Sequence, residues 1–224
     1  MIRALTIPQV LVAAAALLAC ESPGLERQLE FDEPISDLHV LLEAGDIELI
    51  GTDDPLIRVE VDVSYSGGTP PELETFVDDS LLRVWLSCYD GCWNLDGRVV
   101  VHAPRHVRGK LDTGRGGVRI ESTTGEIAAE TGAGSIRGID LVSANLTAIN
   151  ERGPVVLSYA SRPSAVEVDV ERGNIEVELP AGVYDIEAHS YSGSVVLDAV
   201  THDAESREEL TLITRDGAVR VVGY

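Results

Sequence analysis

Along the middle of this chain, apolar and polar residues alternate one by one. The runs are Val118-Arg119-Ile120, Ile136-Arg137, Val166-Glu167-Val168-Asp169-Val170, Ile175-Glu176-Val177-Glu178-Leu179 and Val195-Val196-Leu197. Period two in β-branched residues, bounded by Gly, Ser and Thr, predicts strands with one buried face. A helix would need apolar residues three and four apart, and this segment does not show them. The predicted class is all-β.

The tripeptide Gly-x-Val/Ile punctuates these runs. Its first residue falls at Gly116, Gly125, Gly134, Ala144, Gly153, Ser164, Gly173, Gly182 and Gly193, in steps of 9 to 11. Taken two steps at a time, positions 116, 134, 153, 173 and 193 are all glycine, whereas 125, 144, 164 and 182 relax to Ala or Ser twice. Such a period predicts a coil of about 20 residues made of two short strands, which cannot bury its apolar face alone and must stack on its neighbours. The expected fold is a parallel β-solenoid, or β-helix, with glycine at corners that need a positive φ. An antiparallel sandwich is the competing reading, although its loops usually vary more in length.

Upstream, Leu38 to Leu42, Gly45-Asp46-Ile47-Glu48-Leu49 and Ile57 to Val63 read as strands, with Asp53-Asp54-Pro55 as turn chemistry. Residues 66–80 break the pattern and predict a loop with at most one helical turn. Residues 82–93 read as a hairpin insertion in which Cys88 and Cys92 face one another. In an exported protein they should form a disulfide; a metal site is the alternative, but no Cys or His pair at metal spacing completes it. His102 and His106 are four apart, a spacing that suits zinc on a helix, yet they flank Pro104 at a strand end. Beyond Gly193 the register lapses through an acidic loop, Asp198 to Glu209, and the final strand is expected to cap the stack.

The N-terminus carries Arg3 and then an apolar stretch from Val10 to Ala19, too short to span a bilayer, which marks residues 1–19 as a secretion signal. Leu17-Leu18-Ala19-Cys20 resembles a bacterial lipobox, implying cleavage before Cys20 and lipid attachment there. Residues 20–30 read as a tether and 31–224 as the domain. The formal net charge is −21, and removing residues 1–19 takes away Arg3 and no acid, giving −22. With Lys110 its one lysine, the chain is unsuited to nucleic acid or to anionic headgroups; cationic partners and divalent ions stay open.

Three stretches carry a family resemblance: Leu38 to Val63; Val99 to Ile120 with Pro104 and Thr113-Gly114; and Leu179-Pro180-Ala181-Gly182-Val183-Tyr184-Asp185-Ile186 through Ser192-Gly193. Together they resemble the bacterial adhesin-like domain family of unknown function. The resemblance implies an exported or membrane-attached β-helical protein and offers no catalytic residues to carry over. The Cys88–Cys92 segment is not part of that pattern.

No phosphate-cradling loop, His-Glu-x-x-His helix or Gly-x-Ser-x-Gly elbow occurs, so no catalytic residue, resident metal or cofactor is expected. One constellation stands out. If Val166, Val168, Val170, Tyr184, Ile186 and Ala188 point inward, then Glu167, Asp169, Asp185 and Glu187 point outward, on what the repeat predicts to be neighbouring rungs. They form a candidate cation-binding face. The expected function is a non-catalytic cell-envelope lipoprotein, held to the membrane by its lipid, presenting an acidic surface to an unidentified envelope or surface partner for adhesion or envelope organisation. The alternatives are a Ca²⁺-dependent binding module and a carbohydrate-active β-helix enzyme. The enzyme would need paired carboxylates and aromatics along a groove, and aromatics are only 4% of the residues, with Trp85 and Trp93 set apart from the repeat.

Overall fold

The computed structural model describes residues 24–89, 91–142 and 145–224. Cys20 and the repeat position Ala144 lie outside them. The strands, in chain order, are β1 (Gly24–Phe31), β2 (Asp37–Leu42), β3 (Asp46–Thr52), β4 (Ile57–Gly67), β5 (Glu72–Asp78), β6 (Leu81–Ser87) and β7 (Cys92–Pro104). The repeat region supplies β8 (Arg108–Thr113), β9 (Val118–Glu121), β10 (Ile127–Thr131), β11 (Ile136–Leu141), β12 (Asn145–Arg152), β13 (Val155–Tyr159), β14 (Ala165–Arg172) and β15 (Ile175–Leu179). Last come β16 (Val183–Ser190), β17 (Val195–Asp198), β18 (Thr201–His202), β19 (Glu209–Asp216) and β20 (Val219–Gly223). There is no helix among the described residues.

These strands form two ten-stranded sheets. The first runs β1-β4-β7-β3-β9-β11-β13-β15-β20-β17 and the second β18-β16-β19-β14-β12-β10-β8-β2-β6-β5. From β8 to β15 the chain alternates between sheets, and each strand up to β13 pairs in parallel with the strand two places on: Ile127 with Leu146, Leu146 with Val166, Ile136 with Val155, Val155 with Ile175. The alternating pattern does what it predicts. Val166, Val168 and Val170 are buried and Glu167 and Asp169 exposed, and the inward residues of both sheets join in one apolar core.

Backbone crowding explains why the series 116, 134, 153 and 173 is glycine throughout. A Cβ on Gly116 would lie 2.1 Å from the carbonyl oxygen of Gly45, one on Gly134 1.9 Å from that of Gly116, one on Gly153 1.8 Å from that of Gly134, and one on Gly173 2.0 Å from that of Gly153. Each glycine stands where its neighbour's backbone leaves no room for a side chain. In the other series the demand is uneven: Gly182 meets only the flexible side chain of Arg162, at 3.1 Å, whereas a Cβ on Gly125 would lie 2.1 Å from the carbonyl oxygen of Val107.

Several expectations are corrected. The sheets are mixed, not parallel throughout: β1 with β4, β4 with β7 and β5 with β6 run antiparallel. Gly24 to Phe31, expected to belong to a tether, is a strand, and residues 72–78 form an edge strand where a loop was expected. Both edge strands have a neighbour on one side only and bury little, so their sequences carry a weak alternation. Residues 82–93 are no hairpin, since β6 pairs with β2 and β5 while β7 pairs with β3 and β4 in the other sheet.

The last two long strands do not cap the stack. Strand β19 lies between β14 and β16, and β20 between β15 and β17. The glycine column follows the same detour: a Cβ on Gly217 would meet Gly173 O at 2.0 Å, and one on Gly193 would meet Gly217 O at 2.0 Å. The end of the chain is thus threaded inside its own stack, and β17 and β18 become the outermost strands.

Candidate binding surface

The four carboxylates of the expected cation face do point outward, but β19 separates them. Glu167 is in register with Thr211, and Thr211 with Glu187; Asp169 is in register with Ile213, and Ile213 with His189. Glu167 and Glu187 therefore stand two strand spacings apart, about 9.6 Å, where repulsion in bulk water is only about 0.4 kcal/mol. Asp185 faces Glu209 across one spacing, and its carboxylate lies 3.7 Å from His202 Nδ1, the nitrogen that accepts the Ile186 N–H at 3.0 Å. The inserted strand turns the expected ladder into separated charges. Among the described residues no three His, Cys, Asp or Glu side chains come together in a way that could hold a metal ion.

Opposite charge gathers instead on the outer face of the first sheet. Glu48, in register with Arg119, is 7% exposed and is the one buried charge among the described residues. It is clamped between Arg98 and Arg119, whose Nε lies 3.1 Å from its carboxylate. Arg119 also reaches Glu121 at 2.6 Å. Arg137, in register with Arg119 on the next strand, extends this row and lines the same shallow depression with Asp46, Gly117 and Ser135. Asp46 is occupied locally, its Oδ1 accepting the Gly117 N–H at 2.6 Å. Sequence reasoning missed the row, although a signal was there: Glu48, Arg119, Arg137, Glu176 and Arg220 each lie three residues after a corner glycine. Glu176 and Arg220 pair at 3.5 Å in the same column.

On the second sheet, Arg83, His39 and Lys110 are side by side on β6, β2 and β8. Partial burial, then Lys110 and Arg83, hold the His39 imidazole below its ordinary pKa. Nearby, Ser36 and then Arg108 hold the Asp37 carboxyl below the usual range, with the Ser36 hydroxyl donating at 2.6 Å. Among the described residues, both outer faces are thus mosaics of short charge rows.

Cys88 and Cys92 are joined by a disulfide, with Cα atoms 5.3 Å apart. The bond closes a corner between the two sheets, where Cys92 N–H donates to Tyr89 O at 3.1 Å and Cys88 N–H to Glu43 Oε2 at 2.9 Å.

No family model matches the chain, and no curated protein matches it. Solved structures do. A candidate cell-adhesion protein of Clostridium sporogenes is 13% identical, with a TM-score of 0.55 over 89% of this chain and 100% of that one. A candidate adhesin of Bacteroides fragilis is 11% identical, with a TM-score of 0.42 over 89% and 97%. A candidate lipid-binding protein of Parabacteroides distasonis is 10% identical, with a TM-score of 0.31 over 89% and 98%. The all-β, two-sheet architecture of this chain is the fold it shares with the clostridial protein.

Proposed function

We propose that this chain is a non-catalytic lipoprotein of the bacterial cell envelope, held by a lipid on Cys20 and built as a β-solenoid whose outer faces bind a partner at the cell surface. Parallel pairing of every second strand from β8 to β15, and the continuous glycine column, support the solenoid reading. The antiparallel strands at one end then serve as its cap. The observation that carries the functional reading is the division of the strands: apolar side chains go to one internal core, while ionisable groups are spread over two long outer faces. Such a body offers surface rather than an enclosed reaction site. The names of the structural neighbours, adhesion and lipid-binding candidates, agree with a binding role.

Palmitate labelling and fractionation of cells test the anchor. The native chain is expected to take up label and sediment with membranes, and Cys20→Ala to lose both. Incubation of the purified domain with acidic and neutral polysaccharides and with whole envelopes tests the rest. Retention without hydrolysis is expected, and release of sugar fragments would overturn the non-catalytic reading.

A further inference from the structure

We infer that the disulfide corner faces the membrane, with Trp85, Tyr89 and Trp93 seated among lipid headgroups and the long axis of the sheets directed away from the bilayer. This rests on the lipid-anchored reading of Cys20. Along the chain, Trp85 on β6 precedes the Cys88–Cys92 bond, Tyr89 lies within its loop and Trp93 on β7 follows it, and they are 43%, 59% and 57% exposed. Trp85 and Trp93 are both of the tryptophans in the sequence. Trp and Tyr, apolar with one polar handle, are the side chains that partition best to a membrane–water interface.

The register puts this corner near the start of the described chain. Gly24 pairs with Ser64, and Ser64 with Asp96, while Cys92 pairs with Gly67. Gly24 therefore lies two strands across and four residues along from Cys92, about 16 Å away. Only Glu21, Ser22 and Pro23 separate Cys20 from Gly24, and even fully extended that reach is about 14 Å. The outermost strand of the same sheet, β17, is nine spacings from β1, about 43 Å. So short a connection cannot bring that far end to the bilayer. The disulfide holds the aromatic corner in shape, and the acyl chains supply the bulk of the attachment.

Tryptophan fluorescence reads this corner directly. The lipid-modified protein is reconstituted in vesicles of phosphatidylethanolamine and phosphatidylglycerol, with or without lipids brominated near the headgroup. Flotation with the vesicles, blue-shifted emission and loss of most of that emission to the brominated lipid are expected. A Trp85→Phe/Trp93→Phe chain carrying Val196→Trp on β17 should float equally and stay unquenched. Flotation with unquenched native tryptophans would overturn the docking while leaving the anchor intact, and failure to float would overturn both. Quenching at position 196 would place the wrong end on the membrane.

Discussion

Asn150 and Val170 occupy the same register position on β12 and β14, and the amide of the first makes the hydrogen bond that the second cannot. Along the second sheet, Thr113, Thr131, Thr214 and Ser190 donate to the carbonyls of Gly45, Gly116, Gly173 and Gly217 at 2.7 to 2.9 Å. Val170 has no donor for Gly153 O. Asn150 Nδ2 donates to Gly134 O at 3.0 Å and also to Gly153 O at 3.1 Å, while its Oδ1 accepts the Arg152 N–H at 2.9 Å. One amide thus serves two corners.

Asn150→Val should therefore cost about 3 kcal/mol, since three backbone groups lose their partner. Asn150→Thr keeps the bond to Gly134 O and loses that to Gly153 O. Adding Val170→Thr should restore it, with a coupling of about 1 kcal/mol in a double-mutant cycle. Urea denaturation of the four chains measures this; strict additivity would contradict it.

At the corners, Gly153 has a φ of +133° and its Cβ position is filled by Gly134 O. Gly153→Ala should destabilise by about 2 kcal/mol or more. Gly182→Ala, which meets only the end of Arg162, should stay within about 0.5 kcal/mol of the native chain. Thermal or urea denaturation separates the two, and equal losses would contradict the column.

Tyr159 is fully buried, and its hydroxyl has no hydrogen-bond partner among the described residues. Burial pushes its pKa well above the ordinary 10.0. Tyr159→Phe should be neutral or stabilise by about 1 kcal/mol, because an unmade hydrogen bond is removed. A raised folded-state pKa means that this group's stability is fully present below pH 10 and is lost as pH rises above it, while the unfolded chain ionises and the folded one does not. The native protein should weaken in alkali more steeply than Tyr159→Phe, by about 1.4 kcal/mol per pH unit above 10. Parallel pH profiles would refute this.

A chain ending at Glu208 lacks β19 and β20. Residues 165–172 then keep β12 as their one neighbour, and residues 185–190 lose the strand they pair with. Amide exchange is expected to accelerate across β14 to β17 and to stay unchanged in β8 to β11, since local stability follows local pairing. Uniform protection would mean that β16 pairs directly with β14.

The sequence made the strands legible because alternation and glycine corners are local signals. It assigned the inward and outward faces of β14 and β16 correctly, and it paired Cys88 with Cys92. It did not reveal neighbours. Period-two alternation is identical for parallel and antiparallel strands, so the reversed direction of β4 and β5 left no mark. Every rung presents the same apolar rhythm, so nothing local distinguishes Glu187 beside Glu167 from Thr211 beside it. In the glycine column Gly217 seats against Gly173 ahead of Gly193, an order that two glycines in equivalent slots do not announce. The arginine row was hidden for a related reason: Arg119 and Arg137 are 18 residues apart and meet only once the rungs are stacked.

The threading of the C-terminal strands decides which charges are neighbours, and one pair of distances tests it. Nitroxide labels at Glu167→Cys/Thr211→Cys should show strong dipolar broadening, being one strand spacing apart, and labels at Glu167→Cys/Glu187→Cys clearly weaker broadening, at about 9.6 Å between backbones. The reverse order, with 167 and 187 the closer pair, would contradict the inserted strand and restore the acidic ladder.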